Sequence, residues 1–351
     1  MIRRKRPPGE ASSEAEGQPR GRHANKDEPT CRGSAAAELS NGSLDSSANE
    51  DQAIDRWAPI VVDQPIFEFE PKPPSATERY RADTIFDGWS TDLYTVRVAS
   101  VRGYSHRYNG IPRQDEAAAV FEPESRAVVF AVADGVASAR ASHIGAAAAC
   151  HTATQEISHQ LVAGQAIDWD KVAAVAAHGL VASAVDLLGQ DRPHPAAVED
   201  LVATTLVAGC AIPTRRGTSI SMIQIGDSGA WVLRGDRYFP VLDQKHDSGS
   251  PVISSAVSPL PRVPARLTVA EFELDADSVL LVGTDGFGDP LGDGDGQIGQ
   301  LFAQHLARPP LPRALAHLLD FSRETFDDDR TLLAIWQRAR RPSPSQGSAG
   351  G

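Results

Sequence analysis

Two apolar runs of β-type residues, Ala127–Ala133 and Val279–Thr284, each close on an Asp-Gly pair, Asp134-Gly135 and Asp285-Gly286. A carboxylate at the end of a buried strand is fixed by the sheet behind it, and the Gly that follows lets the backbone come close to a ligand. Two such ends, far apart in sequence, can meet at one edge of a sheet. A third acidic cluster, Asp327-Asp328-Asp329, leads straight into another strand-like run, Thr331–Trp336. Converging oxygen donors, with no Cys or His at ligand spacing, suit hard divalent cations such as magnesium or manganese. The expectation is an enzyme built around bound ions.

The remaining pattern predicts a layered α+β domain, with sheets packed together and helices outside. Strands are expected at Tyr94–Val101, Ala127–Ala133, Ala203–Ile212, Thr218–Ile225, Ala230–Leu233, Leu267–Leu274, Val279–Thr284 and Thr331–Trp336. Ala-rich helices are expected at Ala139–Val162 and Trp169–Leu188, with a polar, Pro-containing loop from Gly189 to Glu199 after them. Two further helices are expected at Ile298–Ala307 and Pro312–Phe326. Residues 1–55 hold almost no large apolar side chains and read as a disordered tail. Residues 56–90, with Pro71-Lys72-Pro73-Pro74, read as an arm or linker, either lying on the domain or offered to a partner. The folded domain is expected to span 91–339, and 340–351 to form a second loose tail.

Bulk properties narrow the choice of partners. With 351 residues, 41% hydrophobic and 23% charged, the chain can bury a sizeable core. Its formal net charge of −12 argues against nucleic acid or an acidic membrane surface as the main partner. Cys31, Cys150 and Cys210 include no CxxC and read as free thiols in a reducing compartment. The basic start, Met1–Arg6, is followed by no apolar segment of a secretory signal, and no apolar stretch approaches the ~18 residues of a bilayer span. A cytoplasmic protein is expected.

Six short stretches together resemble the metal-dependent PPM or PP2C-type serine/threonine phosphatases. In order they are Arg113-Gln114-Asp115, Phe130–Val136, Ala203–Leu206, Ile225–Ala230, Leu281–Phe287 and Asp328–Thr331. Each is unspecific alone, since Asp-Gly is a common turn, but all six stand in the family's order. Ser105-His106, Gly110 and Gln114-Asp115 look like the bacterial branch. The resemblance implies a central antiparallel β-sandwich flanked by helix pairs, a four-layer αββα fold. It implies two divalent cations, Mn2+ or Mg2+, with Asp134 bridging them, the Gly135 carbonyl on one, and Asp285 and Asp328 on the other. Asp115 would orient a metal-activated water that attacks the phosphorus of a phosphoserine or phosphothreonine. Some members place a third ion at positions that correspond here to Asp200 and Asp289. The implied partner is a phosphorylated protein, the product of a serine/threonine kinase.

Charge arithmetic agrees with this reading. Four carboxylates balance two divalent ions, which lower the pKa of bound water. Without ions, two like charges ~4 Å apart repel by ~4 kcal/mol at an effective dielectric of ~20. Departures from the family pattern lie at Gln114 and at Ala137 and Ser138, and no His follows Asp134-Gly135 directly. His106 and His143 are the candidates for a leaving-group acid beside solvent, and Arg107 or Arg113 for the phosphate-binding arginine. Gly226-Asp227-Ser228-Gly229 superficially matches a serine-protease nucleophile turn, without the His and Asp that such a site requires. Gly292–Gly296 lacks the later ligands of an EF-hand loop. A second class of reading is a catalytically idle module that binds a phosphoprotein or regulator.

Overall fold

The computed structural model describes residues 57–73, 81–215, 217–242 and 259–338. The tails expected at 1–55 and 340–351 lie outside them. The described elements begin with β1 (Thr84–Ser90), β2 (Tyr94–Val101), α1 (Tyr104–Asn109), β3 (Glu116–Glu122) and β4 (Ala127–Ala133). Three helices follow: α2 (Ser142–Val162), α3 (Trp169–Leu188) and α4 (Pro195–Val202). Next come β5 (Leu206–Pro213), β6 (Thr218–Ile225), β7 (Gly229–Arg234), β8 (Arg237–Leu242), β9 (Thr268–Leu274) and β10 (Ser278–Gly283). The last are α5 (Asp285–Leu291), α6 (Gln297–Leu306), α7 (Pro312–Leu319) and β11 (Arg330–Gln337).

The strands form two antiparallel sheets, ordered β1-β2-β11-β10-β7-β8 and β3-β4-β5-β6-β9. Strand β4 shows why its sequence is an unbroken apolar run. Val128, Phe130 and Val132 point into the core between the sheets, while Val129, Ala131 and Ala133 face the layer of α2, α3 and α4. In the other sheet Leu280, Val282, Leu333 and Ile335 point inward, and Leu281, Leu332, Ala334 and Trp336 face α5, α6 and α7. Both sheets are therefore covered on both faces, and the α+β four-layer αββα sandwich is as expected. Helix α3 is long and apolar enough to cross a membrane by length and composition. Here its Val172, Ala176 and Leu180 are buried in the helix–sheet core.

Local departures have local causes. The helix expected to reach Phe326 stops at Leu319, because the Ser322 N–H donates to the Ile60 carbonyl at 2.8 Å instead of continuing the helix. The loop expected at 189–199 gives way to α4 at Pro195, with His194 accepting from the Ala196 N–H and Pro at the first turn. Part of the 56–90 arm is sheet: β1 pairs with β2 along its whole length. Residues 57–73 of that arm lie on the domain, bonded to Ser322, Glu324 and Arg107.

Candidate metal centre

Strand register brings the acidic ends together. Glu116 pairs with Ala133, so Asp115 and Asp134 leave adjacent strands of one sheet at the same end. In the other sheet Gly283 pairs with both Gly229 and Leu332, which places Asp285 beside the β6–β7 turn and the start of β11. Asp134 interacts electrostatically with Asp115, Asp285 and Asp328, so these four carboxylates from distant strands form one cluster. Carboxylate oxygens of Asp134, Asp227 and Asp285 lie within 4.8 Å of one another.

Hydroxyls and backbone hold this geometry. The Thr284 hydroxyl donates to Asp115 Oδ2 at 2.8 Å and accepts the Thr331 N–H at 3.1 Å, so one side chain ties the two sheets together. The Asp134 N–H donates to Thr205 Oγ1 at 2.9 Å, and its carbonyl accepts from the Thr204 hydroxyl at 2.7 Å. Ser228, fully buried, shares a 2.8 Å hydroxyl–hydroxyl bond with Thr205. Ser228 is thus a prop for Asp134 and not an exposed nucleophile. Close packing also limits two glycines. A Cβ on Gly286 would sit 1.9 Å from the Asp329 carbonyl oxygen, and one on Gly103 would sit 2.2 Å from the Asp328 carbonyl carbon.

Burial and mutual repulsion push these carboxyls out of the ordinary range. Asp115 is raised to about 8, first by burial and then by Asp329. Asp285 is raised to about 6 by burial, then by Asp227, Asp328 and Asp289. Asp134 is lifted well above the usual value by burial and by Asp115, Asp285 and Asp328, and Asp328 is raised by burial and by Asp329. Asp115 Oδ1 is buried and meets no hydrogen-bond donor. An orphaned carboxylate oxygen in an all-oxygen, mutually repelling cluster fits divalent cations.

The other sequence-derived candidates divide. The backbone of Gly135 bridges to Thr204 beside Asp134. Asp289 is exposed and lines a cleft of about 180 Å³ with Asp285, Pro290, Asp327 and Asp328. Asp200 is exposed on α4 and belongs to neither group of possible ligands among the described residues, Asp134 with Asp227 and Asp285, or His106 with Asp328 and Asp329. Arg107 is not available as a phosphate contact. Its nitrogens bind Asp83 at 2.8 and 3.0 Å and Asp320 at 2.7 Å. Arg113 is buried, donating to Ser100 Oγ at 2.6 Å and to the Asp115 carbonyl at 2.5 Å, so it braces the backbone that presents Asp115. His106 is buried with Nδ1 2.8 Å from Asp329 Oδ1, and this carboxylate also accepts the Gly103 and Gln114 N–H groups. His106 is thereby engaged in holding Asp329.

Asp227 is a candidate ligand that sequence reasoning took only as a turn residue. The signal available was its place after β6, since the turn must carry the chain from one sheet to the other at the acidic end.

Comparison with solved structures finds RsbX in complex with magnesium, 12% identical, covering 72% of this chain and 100% of RsbX with a TM-score of 0.47. PppA of Pseudomonas aeruginosa is 17% identical, covering 72% and 100% of the two chains at a TM-score of 0.44. PstP of Mycobacterium tuberculosis is 17% identical, covering 70% and 100% at 0.45. A search of curated proteins finds no match. Residues 102–320 match the family model described as Protein phosphatase 2C. That match spans more than half of the sequence, and with it the chain belongs to the protein phosphatase 2C family.

Proposed function

We propose that this chain hydrolyses phosphoserine and phosphothreonine in proteins, using two divalent cations, manganese or magnesium. The observation that carries the reading is the cluster of Asp115, Asp134, Asp285 and Asp328, drawn from both sheets, with Asp115 Oδ1 lacking a donor. Asp134, the Gly135 carbonyl, Asp285 and Asp328 would hold the ions, with Asp227, whose carboxylate lies within 4.8 Å of those of Asp134 and Asp285, as a further candidate ligand. Bound ions supply positive charge that acidifies water and neutralises phosphate oxygens.

The chain's own groups do the positioning. Thr284 anchors Asp115 Oδ2 and leaves the buried Oδ1 without a protein donor, so Oδ1 would accept a hydrogen bond from the attacking water and orient it. Thr204 and Thr205 fix the main chain of Asp134. No histidine of the chain is assigned as leaving-group acid, and solvent supplies that proton. The substrate class is a phosphoprotein made by a serine/threonine kinase in the cytoplasm.

The test is an assay on nitrophenyl phosphate with and without manganese, followed by a phosphothreonine peptide. Manganese-dependent turnover of both substrates is expected. A folded, manganese-loaded sample that turns over neither would favour the idle phosphoprotein-binding module instead.

A further inference from the structure

Residues 57–73 form a strap that touches both walls beside Asp328 and Asp329. On one side it runs along the segment leading to Asp328. The Ile60 carbonyl accepts the Ser322 N–H at 2.8 Å, and the Val62 N–H donates to the Ser322 carbonyl at 2.9 Å. The Gln64 carbonyl accepts the Glu324 N–H at 2.7 Å, and the Ile66 N–H donates to Ser322 Oγ at 2.9 Å. Val62 is buried in the same core cluster as Phe321 and Leu319. Segment 319–326 is also held by buried Arg330, which donates to the carbonyls of Leu319, Phe321 and Phe326.

On its other side the strap packs against α1. The Lys72 N–H donates to the Arg107 carbonyl at 2.9 Å, and the Lys72 ammonium lies 4.1 Å above the Tyr108 ring. Phe69 meets Tyr108 and Tyr104 edge-on, with ring centroids 5.4 and 6.2 Å apart. Helix α1 in turn grips the acidic run Asp327-Asp328-Asp329 at both ends: Ser105 N–H donates to the Asp327 carbonyl at 2.9 Å, and His106 holds Asp329. The strap thus touches both elements that adjoin the acidic run, segment 322–324 at Ser322 and helix α1 at Tyr104 and Tyr108, and the Ser322 side chain also interacts with Tyr104. A segment that only covered apolar surface would need no such pattern of backbone pairing at one wall and ring packing at the other.

We propose that the strap is a positioning element of the metal centre, with Phe69 and Ser322 as its two anchors. It sets the separation of α1 and segment 322–328, and thereby the place of the Asp328 carboxylate relative to Asp134 and Asp285. This rests on the metal-dependent reading above.

Manganese binding to the full chain is measured by isothermal titration calorimetry for the wild type, Phe69→Ala, Phe69→Tyr and Ser322→Ala, each with its metal-free Tm. Manganese affinity is expected to fall about tenfold in Phe69→Ala and Ser322→Ala, and to recover in Phe69→Tyr, which keeps the ring. For nitrophenyl phosphate, kcat should return towards the wild-type value at saturating manganese while KM stays unchanged. Wild-type affinity in folded Phe69→Ala and Ser322→Ala, whatever their Tm, overturns the proposal. If Phe69→Ala does not fold, Ser322→Ala decides, since it removes one hydroxyl and keeps the three backbone bonds. A wild type that binds no manganese overturns the strap and the proposed function together. A wild type and variants that bind it equally overturn the strap alone.

Discussion

Asp83, half-exposed at the flank of α1, and Asp115, buried at the end of the sandwich, are both carboxylates held by neighbouring groups, and the fold treats them in opposite ways. Burial raises the Asp83 pKa, but the hydrogen bonds and charge of Arg107 outweigh it and leave the group below its ordinary value. Burial also raises Asp115, and there Asp329 adds to the effect, so the group reaches about 8. At the flank, Arg107 is shared between Asp83 and Asp320, and every charge has a partner. Among the described residues no ion pair reaches Asp115, Asp134, Asp285 or Asp328. The fold supplies its own cation to Asp83, and among the described residues supplies none to the acidic cluster, which the proposed function gives to divalent ions.

Asp134→Asn attacks this contrast most strongly. Manganese-dependent turnover should fall on the order of 10³-fold, equal to about 4 kcal/mol of transition-state stabilisation, while the metal-free Tm rises because one repelling charge is gone. Turnover close to wild type would break the assignment of this end as the active centre.

The next effect is on stability and pH. A carboxyl whose pKa is raised in the fold keeps its proton after the unfolded chain has lost it. Its contribution is complete below the unfolded value of about 4 and is lost as pH rises through the folded value. For Asp285 and Asp115 those folded values are about 6 and about 8. Metal-free Tm should therefore decline from about pH 5 to about pH 9. Manganese at about 100 times its Kd should add about 2.7 kcal/mol, or about 5–10 °C, with its largest effect at the alkaline end. Differential scanning fluorimetry across this window measures both, and a Tm indifferent to manganese would remove the distinction between the two regions.

Asp83→Asn gives the smallest effect and the opposite sign. Its ion pair is partly exposed, so Tm should fall by about 2 °C, with manganese-dependent turnover within about threefold of wild type. A loss of turnover comparable with that of Asp134→Asn would show that the flank belongs to the reaction machinery.

What could be read from residue order follows the depth of burial. Strands β4, β10 and β11 are covered on both faces, so their apolar runs are unbroken and their terminal aspartates stand out. Strand β3 carries three alanines and is only half-buried along most of its length, β8 contains Pro240 and is largely exposed, and neither shows a clear period. Strand β1 was absorbed into the expected arm because its exposed Phe86 gives no inward-facing pattern. Asp115, Asp134, Asp285 and Asp328 were legible because strand ends are local features. Asp227 was not, since only the pairing of β7 with β10 sets it beside Asp285. Arg107 was misread for the same reason: its partners stand 24 and 213 positions away.

The single proton of the Thr284 hydroxyl has a thermodynamic consequence. It is spent on Asp115 Oδ2, so a proton carried by Asp115 near neutrality resides on the other oxygen, and cations bound in the cluster would favour the ionised carboxylate. Loading the centre should therefore expel hydrogen ions into the medium, and the calorimetric heat of loading should change with the ionisation enthalpy of the buffer chosen.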